Sequence, residues 1–268
     1  MGRSVTDTVR AIGAHPLLER HVALVLRAGT VHGTGRFIAR ELTRRTTTCD
    51  YRLRRNGLRA SIRHGTGDVV TLGEVFHRPD YAFPPEVERA LGSGALEVLD
   101  LGANIGLFSL WIVGERPRSR VEAYEPDPEN AAVLRRVVER NGLSDRVRVV
   151  EAAAGSTDGE VSFEPGQVAL SHVGEGGSAR VAMRDVLARV AAADLVKMDI
   201  EGGEWAILLD DRFGQGGPRA VVLEYHPYMA PAGLAPRERV EERLAACGYR
   251  LSPIWHRPDG YGMLWAWR

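Results

Sequence analysis

The sequence predicts an α/β protein: a seven-stranded, doubly wound, mostly parallel sheet with an antiparallel edge strand, plus an N-terminal helical segment and a small β hairpin. Three observations predict it. The apolar run 98–101 ends in Gly102-Ala103-Asn104-Ile105-Gly106 and passes into a helical pattern from Leu107, so a strand feeds a helix through a tight glycine turn. Strand-like and helix-like stretches then alternate at the spacing of βαβ units. The chain closes with two aromatic-rich runs, 249–255 and 261–267, around Arg257-Pro258-Asp259-Gly260, which reads as a hairpin.

Each element has a local reason. Residues 1 to about 47 carry apolar side chains at helical spacing (Val9, Ile12, Leu17, Leu18, Val22, Val25, Leu26, then Phe37, Ile38, Leu42), and Gly29 and Gly33 break the run into two or three helices. Strand-like segments at 49–54 and 58–63 flank Asn56-Gly57, a strong hairpin signal. A helix is expected over 69–76, and Pro84-Pro85 starts a turn or short helix that leads into the main domain. The chain therefore divides into a cap or lid segment, residues 1–83, and a cofactor-binding domain, residues 84–268.

Within that domain, strands are expected at 96–101, 121–124, 147–152, 195–199 and 220–224, with an added β segment at 161–163. A helix lies between Pro128 and Arg140, with Ala132, Val133, Val137 and Val138 on one face and Asn141-Gly142 closing it. A last helix spans about 237–247.

Composition narrows the function. The 268 residues are 44% hydrophobic and 26% charged with zero formal net charge, so nothing points to nucleic acid or an anionic membrane. No apolar run approaches the ~18 residues of a membrane span, and the expected location is the cytoplasm, without a signal-peptide pattern. Met1 to Thr6 fits a loose myristoylation pattern that chance explains better. The two cysteines, Cys49 and Cys247, stand outside any metal spacing and are read as reduced thiols. Lysine plus arginine number 35, yet Lys197 is the only lysine. Either one lysine survived by accident in an arginine-biased chain, or its amine has a role.

The glycine turn and the acid that ends the second strand, Glu125, together suit a ribose-bearing cofactor, because a carboxylate can accept from both ribose hydroxyls. A dinucleotide wants G-x-G-x-x-G, whose middle glycine lets the backbone approach a pyrophosphate. Asn104 stands in that place, and the glycines run Gly102 to Gly106 as G-x-x-x-G. S-adenosylmethionine (SAM) has no phosphate and wants backbone and amide groups at its amino-acid end, so SAM is preferred over NAD.

The block 98–109, then Ala123-Tyr124-Glu125-Pro126, then Asp194-Leu195-Val196-Lys197-Met198-Asp199-Ile200-Glu201-Gly202-Gly203-Glu204, then Val222-Leu223-Glu224-Tyr225-His226, resembles the FkbM family of SAM-dependent methyltransferases. The stretch Arg63 to Asp68, with Glu74-Val75-Phe76 and Tyr81, is similar to that family's entrance segment. The resemblance covers roughly residues 60–226. It implies the class I methyltransferase (Rossmann-like) fold, SAM as donor, and hydroxyl acceptors on natural products, sugars or lipids. Residues 1–55 lie outside it, so the acceptor is not inherited.

Methyl transfer from a sulfonium needs an aligned nucleophile, exclusion of water and removal of one proton. Ligands of such sheets bind at the carboxyl ends of the strands. The expected cofactor residues are Gly102, Asn104 and Gly106 at the amino-acid end, Glu125 at the ribose and Ala153 near the adenine; the entrance segment adds Glu74 and Tyr81, whose plainer role is packing. The expected reaction cluster is Lys197, Asp199, Glu224 and His226, one of which takes the acceptor's proton. The plainer alternative is a buried ion network that shapes the site and abstracts nothing.

Glu201 and Glu204 open a helix, where carboxylates are favoured anyway. Asp199, Glu201, Glu224 and His226 are also suitable ligands for Mg²⁺ or Mn²⁺. The Asp-Asn pair of catechol-type O-methyltransferases is missing after the fifth strand, so no metal is expected. His172 sits in a loop that could face the acceptor, with a surface position as its plainer reading. Trp255, Trp265 and Trp267 read as core or edge-strand residues.

The function expected is O-methylation of a small metabolite or glycoside in bacterial secondary metabolism, with a homo-oligomer contact through the N-terminal helices as a further role for that segment. The rivals are an N-methyltransferase, an NAD-dependent oxidoreductase and a SAM-binding protein without catalysis. No motif gripping an amino group follows the fourth strand, which counts against the first rival.

Overall fold

A computed structural model describes residues 16–43, 46–78, 80–163, 179–227, 230–233 and 235–268. Val9, Ile12, the Met1–Thr6 pattern and His172 lie outside the described residues. The chain forms two units, Met1–Asp80 and Tyr81–Arg268.

In the first unit, α1 (Pro16–Ala28) and α2 (Thr34–Leu42) are separated at Gly29–Gly33, where Gly33 takes φ +86°. Strands β1 (Thr47–Arg52) and β2 (Arg59–His64) pair antiparallel. Asn56 Oδ1 accepts from Leu58 N at 3.1 Å and Gly57 takes φ +73°, as an Asn-Gly turn requires. Helix α3 (Asp68–Phe76) follows, and the fully buried Asp68 takes both the main-chain N–H and the guanidinium of Arg63.

The second unit opens with α4 (Pro85–Leu91), started by Pro85 at its first position. It is organised by a seven-stranded sheet of β3 (Glu97–Leu101), β4 (Arg120–Tyr124), β5 (Val147–Val150), β9 (Leu195–Met198), β10 (Ala220–Tyr225), β11 (Arg250–His256) and β12 (Gly262–Trp267). Their order is β11-β12-β10-β9-β3-β4-β5. The antiparallel strand, β12, runs between β10 and the edge strand β11. The three central parallel strands, β3, β9 and β10, are almost wholly buried, as strands covered on both faces are.

Helix α5 (Leu107–Glu115) leaves the glycine turn and is buried from Leu107 through Val113, so it carries no polar face. Helix α6 (Pro128–Arg140) is capped by Asp127, whose side chain accepts from Glu129 N and Asn130 N. Its buried face is Ala131, Leu134, Val137 and Val138; Ala132 is exposed, one position off the face expected from sequence. Helix α7 (Leu187–Ala192) precedes β9, α8 (Glu204–Leu208) follows it, and α9 (Pro236–Ala246) precedes the final hairpin. Among the described residues no helix is long and apolar enough to cross a membrane.

One element departs from the sequence reading. The strand expected over 147–152 stops at Val150, and Ala153 begins β6 (Ala153–Gly155) of a separate sheet with β7 (Gly159–Phe163) and β8 (Ala179–Asp185) in the order β6-β8-β7. β8 is half-exposed and pairs its charges with β7 and its turn, Arg180 with Glu160 and Arg184 with Asp158. A strand so weakly buried leaves no clear apolar alternation to read.

Candidate functional site

The glycine turn lies between β3 and α5, with Gly102 at φ +77°, Asn104 at φ +50° and Gly106 at φ +86°. Both glycines answer to the protein itself. A Cβ on Gly102 would come within 1.8 Å of the Asp199 carbonyl oxygen, and one on Gly106 within 2.2 Å of Leu134 Cδ1. The turn is thus pressed against the loop that follows β9, and glycine is what allows it.

Glu125, at the end of β4, is buried and binds the same turn. Its Oε2 accepts from Asn104 N at 2.7 Å, and its Oε1 accepts from Asp127 N at 2.9 Å and Asn130 Nδ2 at 3.2 Å. Burial pushes its pKa up to about 7 despite these three donors. The carboxylate assigned from sequence to a ribose therefore also fixes the turn, and one oxygen is already doubly engaged. Ala153 is buried in β6 beside Met183 of β8. Tyr81 is buried with its ring 5.2 Å from that of Phe108 in the first turn of α5. Glu74 lies on α3 of the other unit, 3.9 Å from Arg78.

The sole lysine sits in the centre of the sheet. Lys197 is beside Asp100 of β3 and Val222 of β10 in the strand registers. Its Nζ donates to the carbonyls of Gly102 (2.6 Å) and Leu101 (3.3 Å) and lies 3.7 Å from Asp100 Oδ1 and 3.6 Å from Asp199 Oδ2. Burial alone would lower its pKa, but Asp199, Asp100, Glu224 and Glu125 outweigh that and raise it. Lys197 is therefore a cation that ties two loops together, and its own pKa argues against an amine that gives up its proton. Asp100 is the partner the sequence reading missed. It is fully buried, is pushed toward the protonated form by desolvation, and accepts from Ser109 Oγ at 2.7 Å.

The ends of β9 and β10 carry the rest of the cluster. His226 follows β10 and is almost wholly buried. Glu204 Oε1 accepts from its main-chain N–H at 2.7 Å and faces its Nδ1 at 3.1 Å, while Glu204 Oε2 accepts from Gly202 N at 2.8 Å. Trp205 Nε1 donates to the His226 carbonyl at 2.8 Å. The other ring nitrogen, Nε2, points to Glu201 Oε2 at 3.3 Å and Asp199 Oδ1 at 4.0 Å. Burial would lower the histidine's pKa, yet the Glu204 bond and the charges of Asp199, Glu204 and Glu201 raise it to about 9.

Glu201 holds its place with φ +53°, a conformation that costs a non-glycine residue of order 1–3 kcal/mol. Glu224, half-buried at the end of β10, adds its charge near Lys197. The structure thus gathers Lys197, Asp199 and His226 with Asp100, Glu201 and Glu204. Glu204, read from sequence as a helix-dipole residue, is the clamp on His226.

The chain matches the methyltransferase FkbM domain model over residues 100–251. It is 34% identical over 182 residues to the AMB antimetabolite synthetase AmbE of Pseudomonas aeruginosa, an alignment that takes in 64% of this chain and 8% of that protein. It is 35% identical over 68 residues to the 2-O-methyltransferase NoeI of Sinorhizobium fredii, covering 25% of this chain and 27% of that one. The chain thus spans a minor part of both curated relatives. Among solved structures, methyltransferase FkbM from Methylobacillus flagellatus aligns with 97% of this chain and 65% of its own at 17% identity, with a TM-score of 0.49. With more than half of its length matched by that model, the chain belongs to the FkbM family of SAM-dependent methyltransferases.

Proposed function

We propose that the protein transfers the methyl group of SAM to a hydroxyl of a small metabolite or glycoside. The observation that carries this reading is the His226–Glu204 pair set among Asp199 and Glu201 at the mouth of the sheet. Such a cluster can hold the proton that a hydroxyl must lose. The printed activity of NoeI, a 2-O-methyltransferase, supports a hydroxyl acceptor, and AmbE, an antimetabolite synthetase, supports a setting in natural-product synthesis.

The donor set fits SAM. The turn offers main-chain groups and the Asn104 amide rather than a cradle of glycines for a pyrophosphate. Asp199, Glu201, Glu204 and Glu224 outnumber the cations Lys197 and His226, which suits a cofactor with cationic centres. When bound, SAM supplies an activated methyl group on a sulfonium.

The chain's own residues do the rest. The Gly102–Gly106 turn would hold the amino-acid end, and Glu125 would accept from ribose hydroxyls while keeping Asn104 in place. Ala153 would leave room at the base. Lys197 keeps the turn and the Asp199 loop at a fixed separation. Glu204 sets the orientation of His226, whose neutral form, growing as pH rises toward about 9, would take the acceptor's proton. Residues 1–83 would act as an acceptor-side cap or a contact between copies, and neither nucleic acid nor a membrane is an expected partner.

The test is transfer of labelled methyl from SAM to panels of hydroxylated and amine-bearing small molecules, read by mass. Methylated oxygen supports the reading. Methylation confined to nitrogen would replace it with the N-methyltransferase, and preferential binding of NAD over S-adenosylhomocysteine would remove it.

A further inference from the structure

The formal charge of zero hides a partition. Residues 1–80 carry 14 arginines against seven acidic residues, so residues 81–268 hold the other 21 of the 35 cationic side chains and the other 28 of the 35 acidic ones. The first unit is thus +7 and the second −7. Each taken by itself has the field that the sum conceals.

The fold of the first unit sharpens the imbalance, because its acids are turned onto partners inside it. Glu41 Oε2 lies 3.0 Å from Nδ1 of the buried His64 and accepts from Gly65 N at 3.2 Å. Asp50 accepts from Ser61 Oγ at 2.5 Å, Asp68 holds Arg63, and Glu74 and Asp80 both meet Arg78. The arginines are left to the water. Arg36 and Arg40, one turn apart on α2, and Arg52 and Arg54, just before the hairpin turn, are exposed. Among the described residues none of these four forms an ion pair. In the second unit, by contrast, Arg89, Arg135 and Arg237 meet Glu86, Glu151 and Glu241 at 2.7 to 3.0 Å.

The four come from adjoining segments. Arg52 O accepts from His32 N at 2.9 Å, Arg54 Nε donates to Val31 O at 2.9 Å, and the Arg36 guanidinium lies 5.9 Å from the centre of the Tyr51 ring. Arg52 also spends its Nε on a carbonyl, that of Gly57, and stands directly opposite Arg59 across the strands. Like charges so placed oppose the pairing, and an incoming anion would relieve them.

We propose that the first unit is a docking module for an acidic segment of a partner protein, received by Arg36 and Arg40 on α2 with Arg52 and Arg54 beside them. Guanidinium groups are weakly hydrated and match carboxylates with two parallel bonds. The surrounding surface selects a protein over other anions. Val25, Leu42 and Val70, the exposed large hydrophobic side chains among the described residues, all belong to this unit and stand one to a helix. Arginines among single apolar side chains suit a protein interface. A membrane wants a continuous apolar face with aromatic anchors. Single-stranded nucleic acid wants aromatic platforms, and here Phe37 and Tyr51 are buried.

The experiment titrates the full chain with a labelled helical peptide of glutamate, alanine and leucine, in parallel with a single-stranded oligonucleotide and with phosphatidylserine vesicles. Peptide binding is expected, weakening steeply between about 50 and about 300 mM salt. Arg36→Glu with Arg40→Glu should reduce it roughly tenfold or more, and Arg52→Glu alone by roughly threefold. Arg118→Glu with Arg250→Glu makes the same change of charge at exposed positions of the second unit and should leave it within about twofold. Circular dichroism checks that each variant folds.

No peptide binding, or binding that the α2 variant leaves unchanged, overturns the module. Tighter binding of the oligonucleotide or the vesicles, lost in that variant, would overturn it in favour of that class. Self-association lost in that variant, without peptide binding, would make the occupant a second copy instead. Methyl transfer enters none of these measurements, so either proposal can fail alone.

Discussion

Asp100 and Lys197 are direct neighbours across β3 and β9, and neither is reached by water to any extent. Their charges lie 3.7 Å apart, while the lysine spends its hydrogen bonds on the carbonyls of Leu101 and Gly102. The pair makes the backbone of the cofactor turn answer to a side chain from a different strand.

The first prediction concerns that lysine. Lys197→Met leaves Asp100 and Asp199 without their cation, and removing one partner of a buried pair costs about 3–5 kcal/mol. Urea unfolding should show a loss of that order, and Asp100→Asn in the same chain should recover part of it. Lys197→Arg keeps the charge but brings a larger planar head to a site shaped for a compact one. It should fold and turn over at least tenfold more slowly, about 1.4 kcal/mol in the barrier. A wild-type rate in the Arg variant would reduce Lys197 to a packing residue.

The second concerns pH. The carboxyl of Glu125 is raised from 4.5 to about 7 in the folded protein. An acid held above its unfolded value favours the fold most when protonated. Its contribution is full below the unfolded value and is lost as pH rises through about 7. Ribose hydroxyls want the ionised form, so affinity for S-adenosylhomocysteine should grow between about pH 6 and about pH 8 while this stability term declines. Calorimetry on wild type and Glu125→Gln compares the two. The variant should bind roughly 2–4 kcal/mol more weakly with a flat profile, and equal affinity would refute the ribose role.

The third separates the two glycines. Gly102→Ala puts a methyl against the Asp199 carbonyl oxygen, which is backbone, and Gly106→Ala puts one against the end of the Leu134 side chain, which can turn. Both sit at positive φ and pay for it. Thermal melts should show Gly102→Ala as the more damaging of the two, with cofactor affinity lost alongside stability.

The fourth tests how the histidine is held. Trp205→Phe keeps the packing volume close and removes the Nε1 donor to the His226 carbonyl. The expected cost is about 1–3 kcal/mol, the desolvation penalty of a buried acceptor left without its donor. Denaturant titration measures it, and an unchanged midpoint would show that Glu204 alone suffices.

Much of this molecule is legible in its sequence because the signals are local. Pro128 and Asn141-Gly142 bracket a helix, Asn56-Gly57 announces a hairpin, and the apolar runs at 98–101 and 195–198 the centre of a parallel sheet. What could not be read depends on register and on partners distant in sequence. Asp100 looks like the polar end of a strand until β9 is laid beside it with Lys197 at the same level. Glu204 looks like a residue favoured by a helix terminus, since its partner lies 22 residues on, just past the next strand. β8 escaped notice because its stability comes from strand pairing and surface ion pairs rather than from a buried face. In α6 the pattern gave the right helix and half of its face, Val137 and Val138, but chose Ala132 where Ala131 is buried, since the two alanines are chemically alike and only packing tells them apart.

The placement of β12 has a consequence for how the chain is made. Five strands of the sheet are complete in sequence by Tyr225, yet the open side of β10 is covered only by Gly262–Trp267. A chain emerging from the ribosome therefore presents the bare margin of an apolar strand until residues 262–267 arrive. Products truncated before β12 should be sticky, prone to pairing with one another through β10, and sensitive to chaperone supply in a way that products containing β12 are not.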